Sequence, residues 1–155
     1  MVKKNLSKSE IKELNEKIAC FGMEFDKKDT VVYVKEDDVE GYVINGQLCL
    51  ILKDARIFPS LRFIMSSQSV RIPSVMIDIP AVKFIANGAD VMRPGIKQIE
   101  DFPEGSVVVV RDEIHKKPIA VAYSDKNSQD LKIMEKGKVL KNLSYVGDRF
   151  WNYEA

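Results

Sequence analysis

Apolar and polar positions follow two rhythms along this chain, and the switch between them marks out the elements. Ile11, Leu14, Ile18 and Phe21 recur at helical spacing with Lys12, Glu13, Glu16 and Lys17 on the other side, which predicts an amphipathic helix with a solvated charged face. Ser7 and Glu10 form an S-x-x-E capping box at its start, Leu6 and Ile11 suit a hydrophobic staple, and Gly22 supplies the stop. Thr30 to Val34 is then β-branched and aromatic, with an acidic turn from Glu36 to Glu40 after it. Tyr42 to Ile44 and Gln47 to Leu52 flank Asn45-Gly46, two residues that tolerate positive φ and so predict a tight hairpin. Arg56 to Arg71 alternates apolar and basic residues around Pro59 and predicts an extended or partly helical segment.

A boundary falls near Ile72-Pro73-Ser74, because proline restricts the residue before it. Beyond it, Asp78 can cap a short helix with Pro80 in its first turn, Val82, Phe84, Ile85 and Ala86 on its buried side, and Gly88 at its end. The remainder predicts strands: Gly105 to Arg111, Lys117 to Ser124, a short Leu131 to Met134, and a last stretch from Leu143 to Tyr153. Short strands with Gly and Pro turns between them predict a small barrel. The expected class is α+β, with a small N-terminal α/β domain over residues 1–73 and a C-terminal β-barrel with short helices over 74–155.

Composition narrows the partners. At 155 residues, with 45% hydrophobic and 30% charged, the chain has the profile of a globular protein of one domain or two small ones. No apolar run approaches the ~20 residues that a membrane helix needs, and a charged segment follows Met1 where a signal peptide would be apolar, so the expected location is cytoplasmic with no membrane partner. Cys20 and Cys49 belong to no CxxC pair, and two small core residues account for them without metal or disulfide. A net charge of +1 weakens any argument for nucleic acid from bulk electrostatics, so RNA would have to be met by a local patch or pocket.

One segment carries more than pattern. Ala81-Val82-Lys83-Phe84-Ile85-Ala86-Asn87-Gly88-Ala89-Asp90-Val91-Met92-Arg93-Pro94-Gly95-Ile96 resembles the opening of a PUA domain, the RNA-binding module named after pseudouridine synthases and archaeosine transglycosylases. Gly105 to Val110 and Ile119 to Ala122 resemble its hairpin strands, and Gly147-Asp148-Arg149-Phe150-Trp151 its closing strand. With Ile44-Asn45-Gly46-Gln47-Leu48 and Phe58-Pro59-Ser60-Leu61-Arg62 upstream, the whole chain is similar to the malignant T-cell amplified sequence family and its short archaeal relatives. The resemblance implies an RNA-binding translation factor that contacts transfer RNA and the small ribosomal subunit in initiation or recycling. It also implies a protein partner carrying an initiation-factor-like domain. The alternative is a stand-alone transfer-RNA recognition module serving a separate pseudouridine synthase or transglycosylase.

The candidate site follows from the corner and from the strand expected beside it. Gly88 turns the chain sharply, backbone N–H groups at Ala89 and Asp90 can meet a phosphate or base edge, and Lys83, Met92 and Arg93 flank them. Arg93, standing where some relatives carry serine or cysteine, offers a guanidinium fork, and Pro94-Gly95 fixes the next corner. Equally, Gly88 is a plain helix stop and Pro94-Gly95 a plain barrel turn. Lys117 to Ser124 presents a small face through Ala120, Ala122 and Ser124 beside the bulkier Tyr123, open to a nucleotide or packed against the helix, with Lys117 near phosphates or simply solvated. Lys53, Arg56, Arg62 and Arg71 form a second basic patch interleaved with Phe58 and Phe63, or else ordinary surface arginines paired with Glu36–Glu40. Trp151 and Tyr153 either stack on bases or close the barrel.

Catalysis finds little support. His115 is the sole histidine and lies in a charged turn, and no P-loop, dinucleotide glycine pattern or metal-spaced cluster is present. The expectation is a binding protein, not an enzyme, with no cofactor and no metal.

Overall fold

The computed structural model describes residues 1–155, and its first helix, α1 (Lys8–Ile18), opens on the capping box that the spacing predicts. The Ser7 hydroxyl accepts from the Glu10 N–H at 3.2 Å, and the Glu10 carboxylate accepts from the Ser7 N–H at 3.0 Å. Leu14 and Ile18 are buried, a 3-10 turn follows over Ala19–Phe21, and Gly22 ends the element with φ 71°. Lys4 Nζ lies 2.8 Å from Glu10, and this bond, ahead of the Ser7 contacts, pulls the Glu10 carboxyl down to about 2. A depressed carboxylate stabilises only while ionised, so stability should fall as pH drops from about 4.5 towards 2. Solvent screens this exposed pair, so the effect is small and shrinks with added salt. Thermal unfolding of Glu10→Gln across that pH range should be flatter than that of the unaltered chain.

The chain forms two compact units, Met1–Arg71 with Gly147–Ala155, and Ile72–Val146. In the first unit, β1 (Val2–Asn5), β2 (Val31–Glu36), β3 (Val39–Ile44), β4 (Gln47–Lys53) and β5 (Arg56–Pro59) lie in sequential order in one antiparallel sheet. Asn45 and Gly46 turn the β3–β4 hairpin with φ 51° and 87°. The acidic turn is narrower than its charges imply: only Asp37 and Asp38 lie between strands, and Glu36 and Glu40 belong to β2 and β3. At Gly41 the Leu50 carbonyl oxygen occupies the place that a Cβ would take. Arg56 to Arg71 divides into β5 and α2 (Leu61–Ser66), where the Ser60 hydroxyl caps the Phe63 N–H at 3.1 Å. Cys49 is buried, which pushes its thiol up to about 11, whereas Cys20 is exposed and is no core residue.

The second unit holds a curled six-stranded mixed sheet in the order β7-β11-β10-β9-β6-β8. These are β6 (Ser74–Ile77), β7 (Val91–Met92), β8 (Ile96–Ile99), β9 (Ser106–Asp112), β10 (Pro118–Ser124) and β11 (Lys138–Tyr145). The short β6 is buried at all four positions, parallel to β9 and antiparallel to β8. Val75, Ile77, Val108, Val110, Ala120 and Ala122 meet Ile85 of α3 (Ile79–Ile85) in the core.

Two expected strands take other forms. Leu131 to Met134 belongs mostly to a helix, α4 (Ser128–Ile133), because the Asn127 side chain caps the Asp130 N–H at 2.8 Å and places Leu131 inward on one helical turn. The last strand begins earlier, at Lys138, and stops at Tyr145; Gly147, at φ 93°, turns the chain out of the sheet, and residues 147–155 contain no strand. Trp151 and Tyr153 accordingly do not close the barrel but pack in the first unit. No helix is long and apolar enough to cross a membrane.

Candidate nucleic-acid interface

The predicted corner begins with local chemistry. Asp78 caps α3 by accepting from the Ala81 N–H at 2.9 Å, with Pro80 in the first turn. Gly88 ends the helical region at φ 96°, and a Cβ there would lie 3.0 Å from the Tyr145 ring, so both conformation and space call for glycine. The chain returns through Ala89, Asp90 and β7, then a 3-10 turn at Arg93–Gly95 leads into β8. The Gly95 carbonyl accepts from the Asp78 N–H at 2.9 Å, which brings the far end of the corner back to the start of α3.

A cavity of about 590 Å³ opens between α3 and this return, within the range of small-ligand sites. Pro80, Ala81, Phe84, Ile85, Ala89, Val91, Met92 and Gly95 line it, and its only ionic side chains are Asp90 and Lys138. Phe84 was expected on the buried side of its helix and is instead 58% exposed at the mouth, with Lys83 Nζ 5.1 Å over its ring. Met92 is also exposed, at 49%. Exposed apolar side chains around a cavity are the feature that periodicity alone assigns to the core.

Behind the cavity, Asn142 of β11 holds the corner. Its buried amide donates to the Ile85 carbonyl at 3.1 Å and to the Ala89 carbonyl at 3.0 Å, while its backbone N–H donates to Asp90 Oδ1 at 2.8 Å. Lys138 Nζ lies 3.7 Å from Asp90 Oδ2. Neither Asn142 nor Lys138 carries a local motif, so sequence spacing does not single them out.

The other expected site residues are dispersed. Arg93 turns away from the cavity: its Nε donates to the Leu131 carbonyl at 2.7 Å, and its two terminal nitrogens reach the carbonyls of Ile96 at 3.3 Å and Lys132 at 3.4 Å. Its guanidinium thereby ties the last turn of α4 to the start of β8, sharing the Leu131 carbonyl with the Met134 N–H. Pro94 is exposed in the 3-10 turn. On β10, Ala122 is wholly buried in the core, and Ser124 is buried with its hydroxyl donating to the Lys126 carbonyl at 2.6 Å. Tyr123 lies beside Gly105 and does not line the cavity. Lys117 is exposed, and its N–H donates to Asp112. That carboxylate also accepts from the N–H groups of Ile114 and His115, the last of which chiefly holds it below the ordinary range, so it closes a turn.

Lys53, Arg56, Arg62 and Arg71, expected as a second basic patch, all lie in the first unit, to which the C-terminal segment also belongs. The Arg62 guanidinium stacks 4.0 Å from the Trp151 ring centre and donates to the Trp151 carbonyl at 2.8 Å. Lys53 Nζ is 5.9 Å from the Phe150 ring centre, and Arg149 stacks on Phe150 at 4.4 Å. Arg56 reaches the Asp54 carbonyl at 3.3 Å, and Arg71 is exposed with its backbone N–H on the Phe21 carbonyl. Arg149 joins this group unforeseen, although the run Arg149-Phe150-Trp151 offers the signal.

Family models match the two parts of the chain separately: a PUA domain over residues 73–146, and a Domain of unknown function (DUF1947) over residues 3–67. An uncharacterized protein of Methanocaldococcus jannaschii is 38% identical over 155 residues, covering 97% of this chain and 95% of that one. Translation machinery-associated protein 20 of Schizosaccharomyces pombe is 30% identical over 132 residues, or 81% of this chain and 72% of its own length. A crystal structure of a hypothetical protein from Pyrococcus horikoshii superposes with a TM-score of 0.82 at 27% identity, covering 99% of this chain and 100% of that one. Joined to the corner and cavity of the second unit, these similarities place the chain in the two-domain PUA family that includes translation machinery-associated protein 20 and the malignant T-cell-amplified sequence proteins.

Proposed function

We propose that the protein is a non-enzymatic RNA-binding factor of the translation machinery, working in the cytoplasm on transfer RNA, the small ribosomal subunit or both, in initiation or recycling. The observation that carries this reading is the apolar cavity at the PUA corner, with Phe84 and Met92 exposed at its edge and Lys83 and Lys138 beside it. An apolar slot with an open aromatic face and nearby ammonium groups suits an unpaired nucleotide: the base stacks, and the phosphate meets the lysines. Ala89, Asp90, Met92 and Gly95 contribute to the slot, and Gly88 and Pro94 shape the chain around it. Arg62 and Arg149, stacked on their aromatic partners, give the first unit a separate cationic surface for phosphates. A partner protein with an initiation-factor-like domain completes the activity in this reading.

Phe84→Ala removes the stacking face while leaving the helix buried through Ile85, so affinity for single-stranded RNA should fall by ~1–3 kcal/mol. Fluorescence anisotropy with the intact chain measures it, and unchanged affinity at low salt would remove the cavity from the RNA site. Crosslinking of the intact protein in cells, followed by sequencing of attached RNA, tests the assignment to translation. Recovery of transfer RNA or small-subunit ribosomal RNA is the expected outcome; enrichment of neither would overturn it.

A further inference from the structure

The sheet of the first unit ends on β1, and the outer side of that strand is open. All four residues of β1, Val2–Asn5, are exposed. They pair with β2 in unbroken antiparallel register, from Val2 opposite Lys35 to Asn5 opposite Val32. The Leu6 N–H donates to the Val31 carbonyl at 2.9 Å, so the Leu6 backbone is turned towards β2. Backbone direction alternates along a strand, which turns Lys4 and Val2 the same way. The N–H and C=O groups of Lys3 and Asn5 therefore face outwards. No proline or bulge interrupts this edge, whereas β5 at the opposite edge ends on Pro59, which has no N–H to offer.

Charge decides what can pair there. Two copies of the chain joined antiparallel through β1 must set outward-facing residues opposite one another. One such register places Lys3 opposite Lys3, the next places Lys4 opposite Lys4, and like charges directly opposite destabilise a pair. The register with Asn5 opposite Asn5 overlaps too little of the strand to hold. Lys4 is engaged by Glu10 at 2.8 Å, but Lys3 and Lys35 enter no ion pair and leave the edge cationic. We propose that the β1 edge is a docking site for an extended acidic segment of a different protein, which continues the sheet by one strand. The segment's backbone bonds to the outward groups of Lys3 and Asn5, and an acidic side chain opposite Lys3 meets its ammonium. The lysines that keep copies of this chain apart thus also select the partner by charge. The edge belongs to the first unit, so the proposal does not rest on the reading of the cavity in the second.

The test selects a displayed library of random peptides of about twelve residues, long enough to span a strand, against the intact chain. Sequences rich in Asp and Glu among β-branched residues should be enriched. The leading peptide, labelled with fluorescein, is then titrated by anisotropy into the unaltered chain and two variants. Lys3→Pro removes an outward N–H that makes no bond to β2, so the fold should persist while affinity for the peptide falls about tenfold or more. Lys3→Glu keeps the backbone donor and reverses the charge, and it should weaken the same peptide by about tenfold as well, which decides the matter should proline disturb the strand. Amide exchange at Lys3 and Asn5 should slow when the peptide is bound, because their N–H groups become paired. The proposal is overturned if no acidic sequence is enriched, if the peptide binds both variants as tightly as the unaltered chain, or if exchange at Lys3 and Asn5 is unchanged. Displacement of the peptide by an RNA duplex, with slowed exchange at neither residue, would assign the edge lysines to RNA and overturn it too.

Discussion

Gly41→Ala should destabilise the first unit by about 3 kcal/mol or more, the largest effect expected of any single methyl group in this chain. Gly41 lies in β3, paired to Val34 of β2 on one side and to Ile51 of β4 on the other, so the strand cannot move aside. The atom in the way is the carbonyl oxygen of Leu50, a wholly buried residue, and backbone yields less readily than the end of a side chain. A register shift lies next to this position, between Tyr42 and Val43. Gly46→Ala is the natural contrast: φ is 87° there, but nothing lies within 4 Å of the added methyl, so it should cost only the ~1–2 kcal/mol of left-handed strain. Trp151 is the sole tryptophan and belongs to the first unit, so denaturant unfolding followed by its fluorescence reports that unit directly. A Gly41→Ala midpoint equal to that of Gly46→Ala would show that the close approach is absent.

Asn142→Asp should be nearly as damaging to the second unit, at about 3 kcal/mol, and should loosen the cavity first. The amide donates to two carbonyls, of Ile85 and Ala89, from a position only 8% exposed. A carboxylate there would turn oxygen against oxygen, with the Asp90 carboxylate already on the same residue's N–H. Asn142→Ala merely leaves the carbonyls unpaired and should cost about 2 kcal/mol. The two variants separate by pH. The introduced carboxyl is raised above its unfolded value, because only its protonated form can donate, so its stabilising contribution is present at low pH and lost as pH rises through the folded value. The Asn142→Asp deficit should therefore narrow on acidification while that of Asn142→Ala stays flat. Thermal unfolding gives the deficits, and faster amide exchange from Ala86 to Asp90 would locate the loosening. Equal pH profiles for the two variants would sink the account.

The elements legible in the sequence are those whose chemistry is local. The Ser7–Glu10 box, the Asn45-Gly46 hairpin and the Asp78 cap followed by Pro80 each form between residues a few positions apart, and each is found as expected. β1 shows no pattern, because Val2–Asn5 is exposed throughout and gains its order from pairing with β2. β6 shows none for the opposite reason, being buried at every position, so no alternation distinguishes it. For α4, the short apolar cluster at Leu131 suggests a strand until the Asn127 cap is noticed. The site divides along the same line. The shape of the corner is local and was legible, whereas the direction of Arg93 depends on a carbonyl 38 residues away. Lys138 and Asn142 enter from β11, which spacing within the Gly88–Gly95 segment cannot reveal.

The division of the chain has a consequence for the order of assembly. Ile72–Val146 is one uninterrupted stretch, whereas the first unit is interrupted by it and resumes at Gly147. As the chain emerges from amino to carboxyl end, every residue of the inserted unit is available before Trp151 can reach Arg62, a contact that spans 89 residues. The entropic cost of closing a loop rises only slowly with its length, so this late contact remains affordable. Contacts near in sequence nonetheless form sooner than distant ones. The guest unit is therefore complete before its host, and the stacked Arg62–Trp151 pair is among the last contacts made.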